Sequence, residues 1–254
     1  MGSAFVAEGP DAVLGGGIVE KVVVPALVAP VLALIVSAIA ISLAYRIVGR
    51  RHPGPVSRGF RLGQIISSSL FALSHGTNDA QKTMGIIFLA LVANGNLLSS
   101  ADVPTWVVLS AATAIALGTY AGGWRIIRTM GSRIIKMDPA QGFAAEGAGA
   151  AVILSASHAG FPLSTTHVIS GAIMGAGAAK RLSAVRWGVA GNIVIAWVLT
   201  LPASAAVGGL TYGVVALFGT DGAGPLVVAG LVLALLTAAL VRRIATGRTL
   251  TAEG

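Results

Sequence analysis

A run of polar and charged residues, His75-Gly76-Thr77-Asn78-Asp79-Ala80-Gln81-Lys82, interrupts an apolar stretch long enough to cross a lipid bilayer. The segment from Leu62 to Ala93 holds 32 residues; as a helix it spans roughly 48 Å, against a hydrocarbon core of about 30 Å. The polar run then falls near mid-depth, where an unpaired Asp or Lys costs about 2.5 to 3.5 kcal/mol and where such residues line a cavity or an ion path. Asp79 can coordinate a cation or carry a proton. Lys82 either attracts an anion or pairs with Asp79 three residues back. Asn78 and Gln81 offer carbonyl oxygens to a cation and amide donors to an anion. The run predicts a transmembrane helix broken near residues 75–79, with Thr77-Asn78-Asp79 where it restarts.

A second polar centre lies between Pro139 and Ala179, where Gly160-Phe161-Pro162-Leu163 separates two apolar arms and Ser164-Thr165-Thr166-His167 follows. Three hydroxyl side chains behind a proline, at a predicted helix start, suit an oxyanion. The first N–H groups of a helix are unpaired, and its N-terminus carries roughly half a positive charge. Two interrupted helices of this kind point to a transporter's binding site. His75 and His167 are candidates for a proton or hydrogen-bond relay. Glu146, in the first arm, and Asn192, further on, are candidates for an ion path. Each residue also has a plainer role: Ser and Thr bond back to their own helix, amides and histidines pair with neighbouring helices, and Gly171, Gly175 and Gly177 allow close packing.

The elements that must position these residues follow from composition and charge. Of 254 residues 55% are hydrophobic and 10% charged, with a mean hydropathy of +0.86, too few charges to cover a globular surface of this size. The chain reads as a single all-α transmembrane domain over residues 1–254, a multi-pass protein of the cell membrane. Its spans are predicted at about 22–45, 62–93, 105–123, a hairpin over 139–179, 187–218 with a kink at Pro202, and 225–241. The basic residues cluster between spans: Arg46, Arg50, Arg51, Arg58 and Arg61; Arg125, Arg128, Arg133 and Lys136; Lys180, Arg181 and Arg186; Arg242, Arg243 and Arg248. They fall on one side, which the positive-inside rule makes cytoplasmic, so the net charge of +8 reflects topology rather than nucleic-acid binding. The arms of 139–179 must therefore return to the side they left. A re-entrant hairpin is preferred to two full spans because the arms are short and the turn is too polar for lipid. The chain has no cysteine, which excludes disulfides and thiolate metal sites. No residues before Lys21 suggest a signal peptide.

The stretches His75-Gly76-Thr77-Asn78-Asp79-Ala80-Gln81-Lys82-Thr83-Met84-Gly85 and Pro162-Leu163-Ser164-Thr165-Thr166-His167-Val168-Ile169-Ser170-Gly171 resemble the second-repeat signatures of the inorganic phosphate transporter family. Gly191-Asn192-Ile193-Val194-Ile195-Ala196-Trp197, with Thr200 and Pro202, is similar to the family downstream of the hairpin. The resemblance runs from about Ile18 to the last span. It implies one half of an inverted-repeat fold that moves phosphate with sodium ions or protons as coupling cation and has no other cofactor. It implies further that Thr77, Asn78, Asp79 and Gln81, with Ser164, Thr165 and Thr166, hold phosphate and its coupling cation, Asp79 and Asn78 serving the cation; on their own chemistry Lys82 joins the phosphate set, and Glu146 and Asn192 the coupling-ion set. Only one repeat is recognisable. The other half of the site is expected from a partner chain or a second copy in a homo-oligomer; otherwise the chain is a fragment.

Three rival readings are weaker. An intramembrane hydrolase would need Ser74 and His75 to bond, but adjacent residues on a helix point about 100° apart, and no G-x-S-x-G elbow is present. A divalent-metal transporter using His75, Asp79, His158 and His167 lacks any H-x-x-x-H or H-E-x-x-H pairing on one face, and no metal site is expected. A non-transporting assembly subunit lacking the first repeat is the third.

Overall fold

The structure, a computed structural model, describes residues 1–50, 52–220 and 222–245. Arg51 and Arg248, counted above among the basic clusters, lie outside them. Regular structure among the described residues is helical throughout. After α1 (Gly2–Glu8), α2 (Gly15–Ile18) runs through a π-helical stretch, Val19–Val23, into α3 (Val24–Val48). Next come α4 (Pro53–Ala93), α5 (Thr105–Gly122) and α6 (Trp124–Arg128), the last leading into a second π-helical stretch, Thr129–Arg133. The chain continues through α7 (Pro139–His158), α8 (Thr165–Ala178), α9 (Trp187–Phe218) and α10 (Ala223–Ala245). Among the described residues three stretches, 15–48, 105–122 and 187–218, are long and apolar enough to cross a membrane. α4, with its polar middle, is not among them.

The chain groups into two compact units, residues 16–194 on one hand and residues 1–15 with 195–254 on the other. In the larger unit α8 packs against both α3 and α7, and the core is built from small residues such as Ala29, Ala33, Ala144, Ala145, Ala172 and Ala176. Small side chains let the backbones approach until dispersion and tight fit hold them, the usual means of association where lipid removes the hydrophobic drive. At Gly171 and Gly175 the approach is closest: a methyl group there would run into the backbone carbonyls of Pro30 and Leu34 on α3. In the smaller unit Gly2 of α1 lies equally close to the backbone of Ala205 on α9.

Two expectations need correction. The helix is not broken at 75–79: α4 continues from Pro53 to Ala93 without interruption. No proline lies in the run, and its polar side chains are satisfied without unwinding the backbone. The Thr77 hydroxyl donates to its own helix, 2.9 Å from the Leu73 carbonyl and 3.1 Å from that of Ser74; Asn78 and Asp79 find partners on the hairpin. Nor do residues 46–61 form only a connection between helices, because α3 runs to Val48 and α4 starts at Pro53. Proline suits a first helical turn, where its missing N–H would have no partner, and Arg58 and Arg61 consequently sit exposed on the helix. Pro202, expected at a kink, lies within α9, which is assigned as one helix.

Candidate functional site at the hairpin tip

The hairpin is specified locally at each corner. Asp138 caps α7 in a reciprocal box: its Oδ1 accepts from the Gln141 N–H at 2.9 Å, and its own N–H donates to Gln141 Oε1 at 3.0 Å. α7 ends in a Schellman turn, with Gly160 at φ +77°, its N–H on the Ser157 carbonyl at 3.1 Å and the Phe161 N–H on the Ala156 carbonyl at 2.9 Å. Pro162 prevents the helix from resuming at once. Ser164 is the N-cap of α8, as the spacing predicts, yet its side chain caps none of the first N–H groups. The arms run antiparallel, so Gln141 Nε2 reaches the Ala176 carbonyl at 3.3 Å. At the open end Asp138 Oδ2 accepts from the Tyr45 hydroxyl at 3.2 Å and pairs with Lys180 Nζ at 3.4 Å.

α4 lies alongside α7 in the same direction. Gln64 sits against Gly142, the Ser67 hydroxyl donates to Glu146 Oε2 at 3.0 Å, and Phe71 packs on Gly149. With Ser74, Asn78 and Lys82, these residues recur every three or four positions, which places them on one helix face. Following that face brings α4 level with the hairpin tip. There the Leu163 carbonyl accepts two bonds, from Asn78 Nδ2 at 3.0 Å and from Lys82 Nζ at 2.7 Å. Lys82 Nζ is also 3.0 Å from Asp79 Oδ1. Thr165 Oγ1 donates to Asp79 Oδ2 at 3.4 Å, and His75 Nε2 is 3.6 Å from the same oxygen. Asn78 and Thr165 are 4% and 3% exposed, so the junction is closed around them.

The expected residues are only partly assembled. Asn78, Asp79, Lys82, His75 and Thr165 meet, and Ser164 is half-buried at the helix start beside them. Thr77, Gln81 and Thr166 face outward and are exposed. Glu146 belongs elsewhere: its partner Ser67 precedes Asp79 by twelve residues, about 18 Å of helix. Asn192 is exposed on α9. His167 hydrogen-bonds to the backbone of Ala26. Pro30 has no N–H to offer the carbonyl four residues back, and that residue is Ala26. A proline in α3 thus explains a histidine in α8. One helix start faces the site rather than the two anticipated. Sequence reasoning missed Gln64 and Ser67, which hold Glu146, and the Leu163 carbonyl; the spacing 64, 67, 71, 74, 78, 82 was the available signal for the first two.

A polar junction formed by a hairpin tip on a helix face, within an all-α polytopic membrane protein, suits the binding site of a membrane transporter, with one of its two helices interrupted. Residues 1–208 match the model of the phosphate transporter family, and the chain belongs to that family. The match begins at residue 1 rather than near Ile18 and ends within α9, before the last span. The family is one of transporters, not of enzymes. The chain is 50% identical over 220 residues to a Mycobacterium tuberculosis protein named "Probable low-affinity inorganic phosphate transporter", covering 86% of this chain and 53% of that protein. It is 41% identical over 211 residues to a Bacillus subtilis protein of the same name, covering 83% of this chain and 63% of that one. The chain thus spans about half the length of the mycobacterial relative. A solved structure titled "The sodium-dependent phosphate transporter" superposes with a TM-score of 0.73 at 25% identity, over 85% of this chain and 71% of that one.

Proposed function

We propose that this chain forms one half of a cation-coupled inorganic phosphate transporter of the cell membrane, with phosphate held between the α4 face at Asn78–Lys82 and the start of α8. The observation that carries the reading is the docking of the hairpin tip on α4. It sets the first turn of α8, whose N-cap side chain leaves the N–H groups uncapped, and the Thr165 hydroxyl beside a lysine and a carboxylate. Phosphate would engage that first turn, the hydroxyls of Ser164 and Thr165, and the Lys82 ammonium. Asp79 gives the site its dependence on a cation: a carboxylate repels an anion in low dielectric until a proton or sodium ion neutralises it. Gln81 and Thr77, exposed on the other side of α4, face the missing half of the site, supplied by a partner chain or a second copy.

The hairpin is re-entrant on this reading. α8 has 14 residues, about 21 Å, short of the ~20 residues a span needs, and α4 continues eleven residues past Lys82, about 16 Å beyond the tip. Radiolabelled phosphate uptake into vesicles holding the chain with its complementary half, with and without sodium and across pH, tests the proposal. Uptake that arsenate inhibits, that a cation gradient drives and that Asp79→Asn abolishes is expected. Uptake indifferent to both sodium and pH rejects the coupling. Uptake unchanged in Asp79→Ala leaves the chain an assembly subunit.

A further inference from the structure

We propose that the Lys82 ammonium is a resident coupling cation, occupying the oxygen cage that a sodium ion would otherwise take. The proposal rests on the reading of the Asp79 junction as the place where the anion's charge is balanced. The oxygens gathered there are a carboxylate, Asp79; a backbone carbonyl, Leu163; and a hydroxyl, Thr165. A carboxylate with a carbonyl outside helical bonding and a hydroxyl is the donor set of a hard cation, and such carbonyls are what membrane transporters offer sodium, although this one also accepts from Asn78 Nδ2 at 3.0 Å. Lys82 Nζ stands between two of these oxygens, 3.0 Å from Asp79 Oδ1 and 2.7 Å from the Leu163 carbonyl, while Thr165 binds the other carboxylate oxygen. The ammonium brings the same single positive charge as sodium, satisfies the oxygens by donating hydrogen bonds, and is held by covalent attachment. Sodium and Lys82 exclude each other, both by space and because two like charges at one site repel.

Two consequences follow. This half of the transporter takes up no sodium at Asp79, so the coupling ion is a proton or enters through the complementary half. The anion meets a site whose positive charge is held covalently.

Equilibrium binding of ²²Na⁺ to the purified full chain in phosphate-free lipid nanodiscs tests this. The wild-type chain and the Asp79→Asn variant are expected to bind sodium equally weakly. Lys82→Ala and Lys82→Met are expected to gain a saturable site at least about tenfold tighter, in keeping with removal of a like charge, and Asp79→Asn in the same background removes it. Lys82→Arg is expected to gain nothing. Sodium binding by the wild-type chain that Asp79→Asn abolishes overturns the proposal, and this arm needs no folded Lys82 variant. Folded Lys82→Ala and Lys82→Met chains that gain no site also overturn it. Because the assay contains no phosphate, a gained sodium site without phosphate uptake in the vesicle experiment rejects the transport reading alone, whereas phosphate uptake with an Asp79-dependent wild-type sodium site rejects the resident cation alone.

Discussion

At the residue scale the junction is held by a few pairings whose removal leaves buried polar groups without partners. Asn78 donates to the Leu163 carbonyl from a nearly closed environment. Asn78→Leu keeps the volume but loses the donor. It is expected to destabilise the protein by about 1–3 kcal/mol, read as a lower Tm in detergent, with the larger effect if Lys82 cannot serve the carbonyl alone. The Pro30–Ala26–His167 relation makes a sharper test. His167→Leu strips the Ala26 backbone of its hydrogen-bond partner, while Pro30→Ala restores an N–H four residues on. The double variant should be more stable than the sum of the two single changes predicts, with a coupling of about 1 kcal/mol in a double-mutant cycle. An additive result would show that His167 does not compensate for the proline.

At the element scale the hairpin is fastened to α3 more tightly than to any other helix in backbone distance. Gly171 and Gly175 stand one turn apart on α8, and each faces a backbone carbonyl of α3. Gly175→Val should therefore lower stability by about 1–3 kcal/mol, since side chains can repack but backbones cannot. Gly85, in the interior of α4 with open space around it, is the control. Gly85→Ala should raise the Tm slightly, by up to about 1 kcal/mol of helix preference.

At the scale of the whole molecule the expected orientation places the basic ends of the spans on one side of the membrane. The absence of native cysteine makes single-cysteine labelling direct. Ser57→Cys and Ser183→Cys are expected to react with an impermeant maleimide from the same face, and Ser99→Cys from the opposite one. Phe161→Cys, at the tip, should react slowly from either face if the hairpin turns within the bilayer. Labelling as fast as at Ser99, from the same face, would make the arms two full spans.

Helix content, the approximate limits of most helices and the N-cap of α8 at Ser164 were legible from the sequence, because apolar run length, Pro and Gly positions and capping residues act over a few neighbouring residues. The capping box at Asp138–Gln141 and the turn at Gly160 are of this local kind. The continuity of α4 was not legible. Whether Asn78, Asp79 and Lys82 unwind a helix or remain on it depends on what lies opposite them, and that is a carbonyl some eighty residues away in the chain. The same limit hid the partnership of Glu146 with Ser67 and the role of His167. Local sequence determined which elements form; only tertiary packing decided where their polar groups find partners, because a buried hydrogen bond is settled by the group that arrives, not by the one that waits.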